Sequence, residues 1–208
     1  MANDSLGKLV SDHGRRWRSF DYVYPVISRR SRGLSVGINL NVDAACNFDC
    51  VYCQVDRRHP PARRDVDLDQ VRDELDHLLM TATSGTIWSD EHFAQTPLQY
   101  RRINDIAFSG DGEPTACPQF VDACRLVADL RDKYTLSTTK LVLITNATLL
   151  DRPGVQQGLA VLDANMGEVW AKLDAGTQAY FEQIDRPKGG LRLDDIVDRI
   201  ADAGRQRD

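Results

Sequence analysis

Three cysteines fall within eight residues, Cys46, Cys50 and Cys53, at C-x3-C-x2-C spacing. Thiolates packed this closely can wrap one soft-metal centre, and sulfur ligands suit iron–sulfur clusters or zinc. A structural zinc site closes with four ligands. The nearest histidine is His59, and Cys117 and Cys124 lie well downstream without the paired spacing of a zinc knuckle. On a cubane of four irons, three thiolates leave one iron open to an outside ligand, and Val51 and Tyr52 inside the loop supply apolar and aromatic cover. Iron–sulfur binding is therefore favoured, with structural zinc as the alternative. Cys124 shares an apolar stripe with Phe120 and Val127, and Cys117 precedes Pro118 near a helix start. Neither is expected to bind the cluster. His13, His77 and His92 have no partner pattern and read as surface residues.

Other residues able to do chemistry come in short runs: Ser109-Gly110-Asp111-Gly112-Glu113, Thr145-Asn146, and Asp174. Each follows a stretch that reads as a strand. Val36, Ile38, Leu40 and Val42 alternate with polar or small residues, the period of a first strand. Residues 103–108, 141–144 and 169–173 supply three more. Between them, Leu68, Val71, Leu75, Leu78 and Leu79 fall on helical spacing, as do Phe120, Cys124, Val127 and Leu130. A weaker helix is expected within Asp151–Asp163, and Leu193, Ile196, Val197 and Ile200 describe a last one. Residues 54–66 and 81–99 read as long loops, which in compact domains are often functional. Strands alternating with helices predict an α/β fold with a parallel sheet of right-handed crossovers. Ligands of such folds gather at the carboxyl ends of the strands, where the cysteines, the Gly-Glu run, Asn146 and Asp174 all fall.

The chain has 208 residues, 42% of them hydrophobic and 27% charged, ordinary usage for one globular domain. Residues 1–20 read as a polar basic arm and 21–208 as the folded domain. No run approaches the apolar length of a membrane span, and the start lacks the pattern of a secretory signal. Five cysteines, an odd number, argue against a disulfide framework and suit a reducing cytoplasm. Net charge is −5, divided as +5 over the first 64 residues and −10 over the rest. Arginines gather at Arg15, Arg16 and Arg18, at Arg29, Arg30 and Arg32, and at Arg57, Arg58, Arg63 and Arg64, clusters suited either to phosphates or to a solvated surface.

The cysteine motif with its aromatic Tyr52 resembles the signature of the radical S-adenosylmethionine (SAM) superfamily. More narrowly, Pro25-Val26-Ile27-Ser28-Arg29-Arg30 ahead of Cys-Asn-Phe-Asp-Cys-Val-Tyr-Cys-Gln is similar to the wyosine-base-formation-like iron–sulfur oxidoreductases. Phe108-Ser109-Gly110-Asp111-Gly112-Glu113-Pro114-Thr115, Thr145-Asn146-Ala147-Thr148-Leu149, Lys172-Leu173-Asp174-Ala175 and Ile184-Asp185-Arg186-Pro187 continue the likeness in order.

That resemblance implies a [4Fe-4S] cluster on Cys46, Cys50 and Cys53, with SAM chelated at the open iron. Reductive cleavage of SAM then yields methionine and a 5′-deoxyadenosyl radical that takes hydrogen from a substrate. It also implies that Glu113 meets the SAM ammonium, that Ser109, Gly110 and Gly112 border its methionine end, that Tyr52 sits beside the adenine, and that Asn146 and Asp174 contact ribose or carboxylate. A flavodoxin or ferredoxin is the implied reductant, and a tRNA base is a candidate substrate. The family fold is a partial (βα) barrel of about six units. Four are visible here, so the C-terminal units look missing. A truncated non-catalytic module, or one subunit of a two-chain enzyme with an exposed sheet edge after the fourth strand, is the alternative. Ala147 stands where the family usually has Gly, so a positive φ there would be strained.

Overall fold

The computed structural model describes residues 17–28, 30–58 and 65–207. Most of the basic arm, with His13, Arg15 and Arg16, lies outside the described residues, as do Arg29, His59, Arg63 and Arg64. A hairpin opens the sheet: β1 (Val23–Ser28) pairs antiparallel with β2 (Gly33–Ile38), from Val23 opposite Ile38 to Ser28 opposite Gly33. Then β3 (Ile103–Phe108), β4 (Lys140–Thr145) and β5 (Gly167–Ala171) add in parallel, so spatial order follows chain order. The crossovers are α1 (Leu68–Thr83), α2 (Phe120–Lys133) and α3 (Pro153–Asp163); α4 (Gln178–Ile184) and α5 (Leu193–Arg205) follow the sheet. This is the expected α/β architecture of an open, partial barrel.

The helices form where the periodic apolar residues fall. Asp67 caps α1 by accepting from the backbone N–H groups of Asp69 and Gln70, satisfying donors the first turn leaves bare. Val71, Leu75, Leu78 and Leu79 are then buried against the sheet. Glu74, on the same buried face, accepts from the backbone N–H groups of Asp21, Tyr22 and Val23 at 2.8–3.0 Å and so ties the start of β1 to α1. Trp17, within the stretch read as an arm, is buried. It packs edge-on to Phe20 at 5.2 Å, and both rings lie near exposed His77. His92 is exposed as expected. At Gly158, where α3 crosses α2, a Cβ would come within 2.5 Å of the Phe120 ring, so the close approach of the two helices needs glycine.

Several expectations shift. The first predicted strand ends at Ile38, not Val42, because the Asn39 side-chain oxygen accepts from Asn41 N and Asp111 N, both at 3.0 Å, and turns the chain out of the ladder. Strand β1 was hidden by Pro25, which an edge strand tolerates. Strand β5 begins two residues early, since Gly167 lets the backbone pass the Leu162 carbonyl group where a Cβ would meet it at 2.4 Å. The stretch 81–99 is less irregular than expected, with α1 running to Thr83 and a short 3-10 turn at Thr86–Ser89.

The ladder is open between β1 and β5. Even so, Arg30, in the turn between β1 and β2, sets its guanidinium carbon 4.7 Å from the Trp170 ring on β5. The sheet therefore curls until its two ends are within reach of one side chain. No helix among the described residues is long and apolar enough to cross a membrane.

Candidate functional site

A cavity of about 680 Å³ lies at the carboxyl ends of the parallel strands, and the residues singled out from sequence converge on it. Cys46, Cys50, Cys53 and Tyr52 line it from the loop after β2. Ser109, Gly110, Gly112 and Glu113 line it from the loop after β3, Asn146 from the end of β4, and Asp174 from the end of β5. Cys117 and Cys124 are buried elsewhere, around α2, and burial pushes both thiols up.

The cysteine loop has no regular structure of its own and is fastened from outside. Phe48 is buried edge-on to Phe181 of α4 at 5.4 Å. Asp49 N donates to the Asp185 carbonyl at 3.1 Å, Val51 N to the Ile184 carbonyl at 2.9 Å, and Lys188 N to the Asn47 carbonyl at 2.9 Å. Lys188 Nζ reaches the Cys46 carbonyl at 3.0 Å. On the other side, Asn47 Nδ2 donates to Thr148 Oγ1 and Asn146 Nδ2 donates to Asn47 Oδ1, both at 2.6 Å. Cys46 and Cys50 end up half-buried and Cys53 exposed. Burial raises the Cys46 and Cys50 thiols, opposed at Cys46 by the Phe48 N–H 3.5 Å from its sulfur. At Cys46 and Cys50 burial thus favours the thiol over the thiolate, so any metal bound there would have to displace those protons.

The loop after β3 is organised by Glu113, only 2% exposed. Its Oε1 accepts from Thr115 N (3.2 Å), Thr115 Oγ1 (2.5 Å) and Thr145 Oγ1 (2.6 Å); its Oε2 accepts from Asn146 N (2.8 Å). Burial raises this carboxyl while those donors oppose the shift. The glycines have a reason within the chain as well. A Cβ on Gly110 would come 2.1 Å from Asn39 Oδ1, and one on Gly112 would come 1.9 Å from the Ala45 carbonyl oxygen. Gly112 therefore lets the Gly-Glu loop press against the residue preceding Cys46.

Asn146 is buried, its amide oxygen accepting from Thr148 N at 3.2 Å and Thr148 Oγ1 at 2.8 Å. It shapes the turn after β4 besides facing the cavity. The next residue, Ala147, has φ 63° and no exposed surface, the strained conformation expected of an alanine in place of glycine. At the far side, the Tyr52 hydroxyl bonds to Asp174 and, at 3.1 Å, to Asp185 Oδ1, while Lys172 Nζ lies 4.8 Å from the Tyr52 ring centre. Burial, and then the bond to Asp174, push the Tyr52 hydroxyl well above its ordinary range. Asp185 Oδ1 also lies 3.7 Å from Cys50 Sγ. Sequence reading missed Asp185 and Arg57 as site residues. The signals available were the Ile184-Asp185-Arg186-Pro187 run and an arginine four residues beyond the last cysteine.

Among the described residues, no three His, Cys, Asp or Glu side chains converge tightly enough to hold a single metal ion. The three thiols instead share one cavity, on a loop that also carries aromatic cover. Three thiols of one short loop lining the same cavity are a donor set that fits a multi-iron cluster with an open corner.

The family model of the Radical SAM superfamily matches residues 40–206. UPF0026 protein slr1464 of Synechocystis sp. is 27% identical over 188 residues, covering 88% of this chain and 59% of the relative. UPF0026 protein MJ1312 of Methanocaldococcus jannaschii is 29% identical over 180 residues, covering 84% of this chain and 46% of the relative. The chain therefore spans roughly half the length of these curated relatives. Among solved structures, that of TYW1 with a lysine-pyruvate adduct bound superposes with TM-score 0.50 at 13% identity, covering 98% of this chain and 60% of the other. With the match extending from the end of the first parallel strand to the last helix, this chain belongs to the radical SAM superfamily.

Proposed function

We propose that this chain holds a [4Fe-4S] cluster on Cys46, Cys50 and Cys53, binds SAM beside it, and turns the reductive cleavage of SAM into hydrogen abstraction from a substrate. Bound in this cavity, cluster and SAM would supply the electron and the 5′-deoxyadenosyl radical. The observation carrying this reading is the convergence of the cysteines, the Gly-Glu loop, Asn146 and Asp174 on one cavity from loops far apart in sequence.

The chain's own residues have definable tasks. Glu113 Oε1 is filled by three donors, whereas Oε2 takes one bond and keeps acceptor capacity, which suits an ammonium group. Tyr52 offers an aromatic face, held in place by the pull of Asp174 and Asp185 on its hydroxyl. Val51 and Tyr52, 50% and 45% exposed, form with Cys53 an outer lip that a flavodoxin or ferredoxin would approach. Arg30 stacked on Trp170 at the cavity offers a cation and a ring together, which suits a nucleic-acid base. A tRNA is therefore the first substrate to test. Binding that weakens steeply with salt supports it, and absent or salt-independent binding removes it.

The reaction itself is tested by anaerobic reconstitution, strong reductant and chromatography. The wild-type protein is expected to form 5′-deoxyadenosine and a Cys50→Ala protein to form none. A cluster-loaded, reduced wild-type protein that leaves SAM intact would overturn the enzymatic reading.

A further inference from the structure

Arg57 divides its guanidinium among three segments that meet at the cavity. Nε donates to the Ala44 carbonyl at 2.9 Å, just ahead of Cys46. Nη1 reaches Cys53 Sγ at 3.0 Å. Nη2 donates to the Asp111 carbonyl at 2.8 Å, in the Gly-Glu loop. Arg57 itself lines the cavity. Its neighbour Arg58 differs on each count: it is exposed and pairs with Asp56 at 2.8 Å.

Two physical points follow from this geometry. First, the planar fork suits contacts in several fixed directions at once, which a lysine ammonium on a flexible stem cannot reproduce. The entry to the loop, its third sulfur and the Gly-Glu loop are thereby held in one register. Ala44 sits at φ 55°, an angle costly for a residue with a Cβ, and the Arg57 bond to its carbonyl is one of the contacts that keep it there. Second, a charged N–H on a sulfur that ligates a cluster stabilises the more negative, reduced state. Reduction potentials of such clusters respond to charge and to hydrogen bonds at their sulfurs.

We propose that Arg57 is a positioning residue for the cluster: it locks Cys53 against Ala44 and Asp111, and it raises the cluster's reduction potential through its bond to Cys53 Sγ. This rests on the function proposed above and adds to it a residue outside the cysteine motif.

Anaerobically reconstituted wild-type, Arg57→Gln, Arg57→Lys and Arg58→Gln proteins are compared by potentiometric titration followed by electron paramagnetic resonance, and by the rate of iron loss to a chelator. Arg57→Gln is expected to shift the midpoint potential to a more negative value and to lose iron about tenfold faster. Arg57→Lys keeps a charge near Cys53 but not the fork. It is expected to lose iron faster while its potential stays nearer the wild type, and it carries the comparison if the glutamine protein retains no cluster. Arg58→Gln is expected to match the wild type in both readouts. An unchanged potential in cluster-bearing Arg57→Gln protein, or an Arg58→Gln shift as large as that of Arg57→Gln, overturns the proposal alone. A wild-type protein that takes up no cluster overturns the function and the proposal together.

Discussion

Glu113 and Cys53 line the same cavity under opposite conditions. The carboxylate is buried and takes four bonds from Thr115, Thr145 and Asn146, residues in its own loop or at the end of the adjacent strand. The thiol is exposed, on a loop without regular structure that Arg57 ties to Asp111 and that is otherwise strapped by Asn146, Thr148, Ile184, Asp185 and Lys188, some 100 residues or more away. One wall of the cavity is thus an extension of the sheet and is complete in the bare chain. The other is a strapped loop whose order depends on contacts with residues far away in sequence. Both walls line one cavity, yet this difference means that they should respond unequally to mutation.

Glu113→Ala should have the largest effect, leaving the Asn146 N–H and two threonine hydroxyls buried without their acceptor. About 3 kcal/mol of stability should be lost in denaturant titration; a loss under 1 kcal/mol would break the picture of a self-sufficient wall. The same carboxyl carries a pH signature. Burial raises it above its ordinary 4.5, so the folded state holds that proton more tightly than the unfolded one. Its contribution to stability is therefore full below pH 4.5 and declines as pH rises through the raised value. Subtracting the stability profile of Glu113→Gln from that of the wild type should show that decline, and a difference that rises with pH would contradict it.

On the strapped wall, Asn47→Ala removes the bonds to Thr148 and Asn146. It should lower stability by about 1–2 kcal/mol and speed proteolytic cutting between residues 43 and 57 out of proportion to that loss. Equal protection of wild-type and variant loops would show that the straps from Ile184–Lys188 suffice. Ala147→Gly should act in the opposite direction. Relieving φ 63° should stabilise by about 1 kcal/mol, read as a higher melting temperature. The smallest effect is expected from Tyr52→Phe, which loses the bonds of a half-exposed hydroxyl to Asp174 and Asp185 and should change stability by under about 0.5 kcal/mol.

What the sequence disclosed divides along the same line. Val36 and Ile38, the apolar run 141–144 and the helical spacing of Leu75, Leu78 and Leu79 report burial, and burial repeats with the period of each element. The parallel sheet and the cavity at its carboxyl ends follow from them. Contacts without a period stayed hidden. Nothing local in Asn39 reveals that its side chain ends β2 by capturing Asp111 N, or that Asp185 will meet Tyr52 and Cys50. Strand β1 was masked by its proline, and α4, at seven residues, is too short to display helical spacing. The cysteines were legible because their chemistry is dense in the chain itself. Arg57 was visible only as one charge in a cluster, and its role depends on Ala44 and Asp111, which folding brings to it.

Three thiols of one loop holding a cluster with a corner left for SAM would be visible in the electron paramagnetic resonance spectrum of the anaerobically reconstituted, reduced protein before and after SAM is added. About four irons per chain and a reduced-cluster signal that changes shape on adding SAM are expected, both absent from the Cys50→Ala protein. A protein that binds only zinc, or a cluster signal that SAM leaves unaltered, would contradict this arrangement.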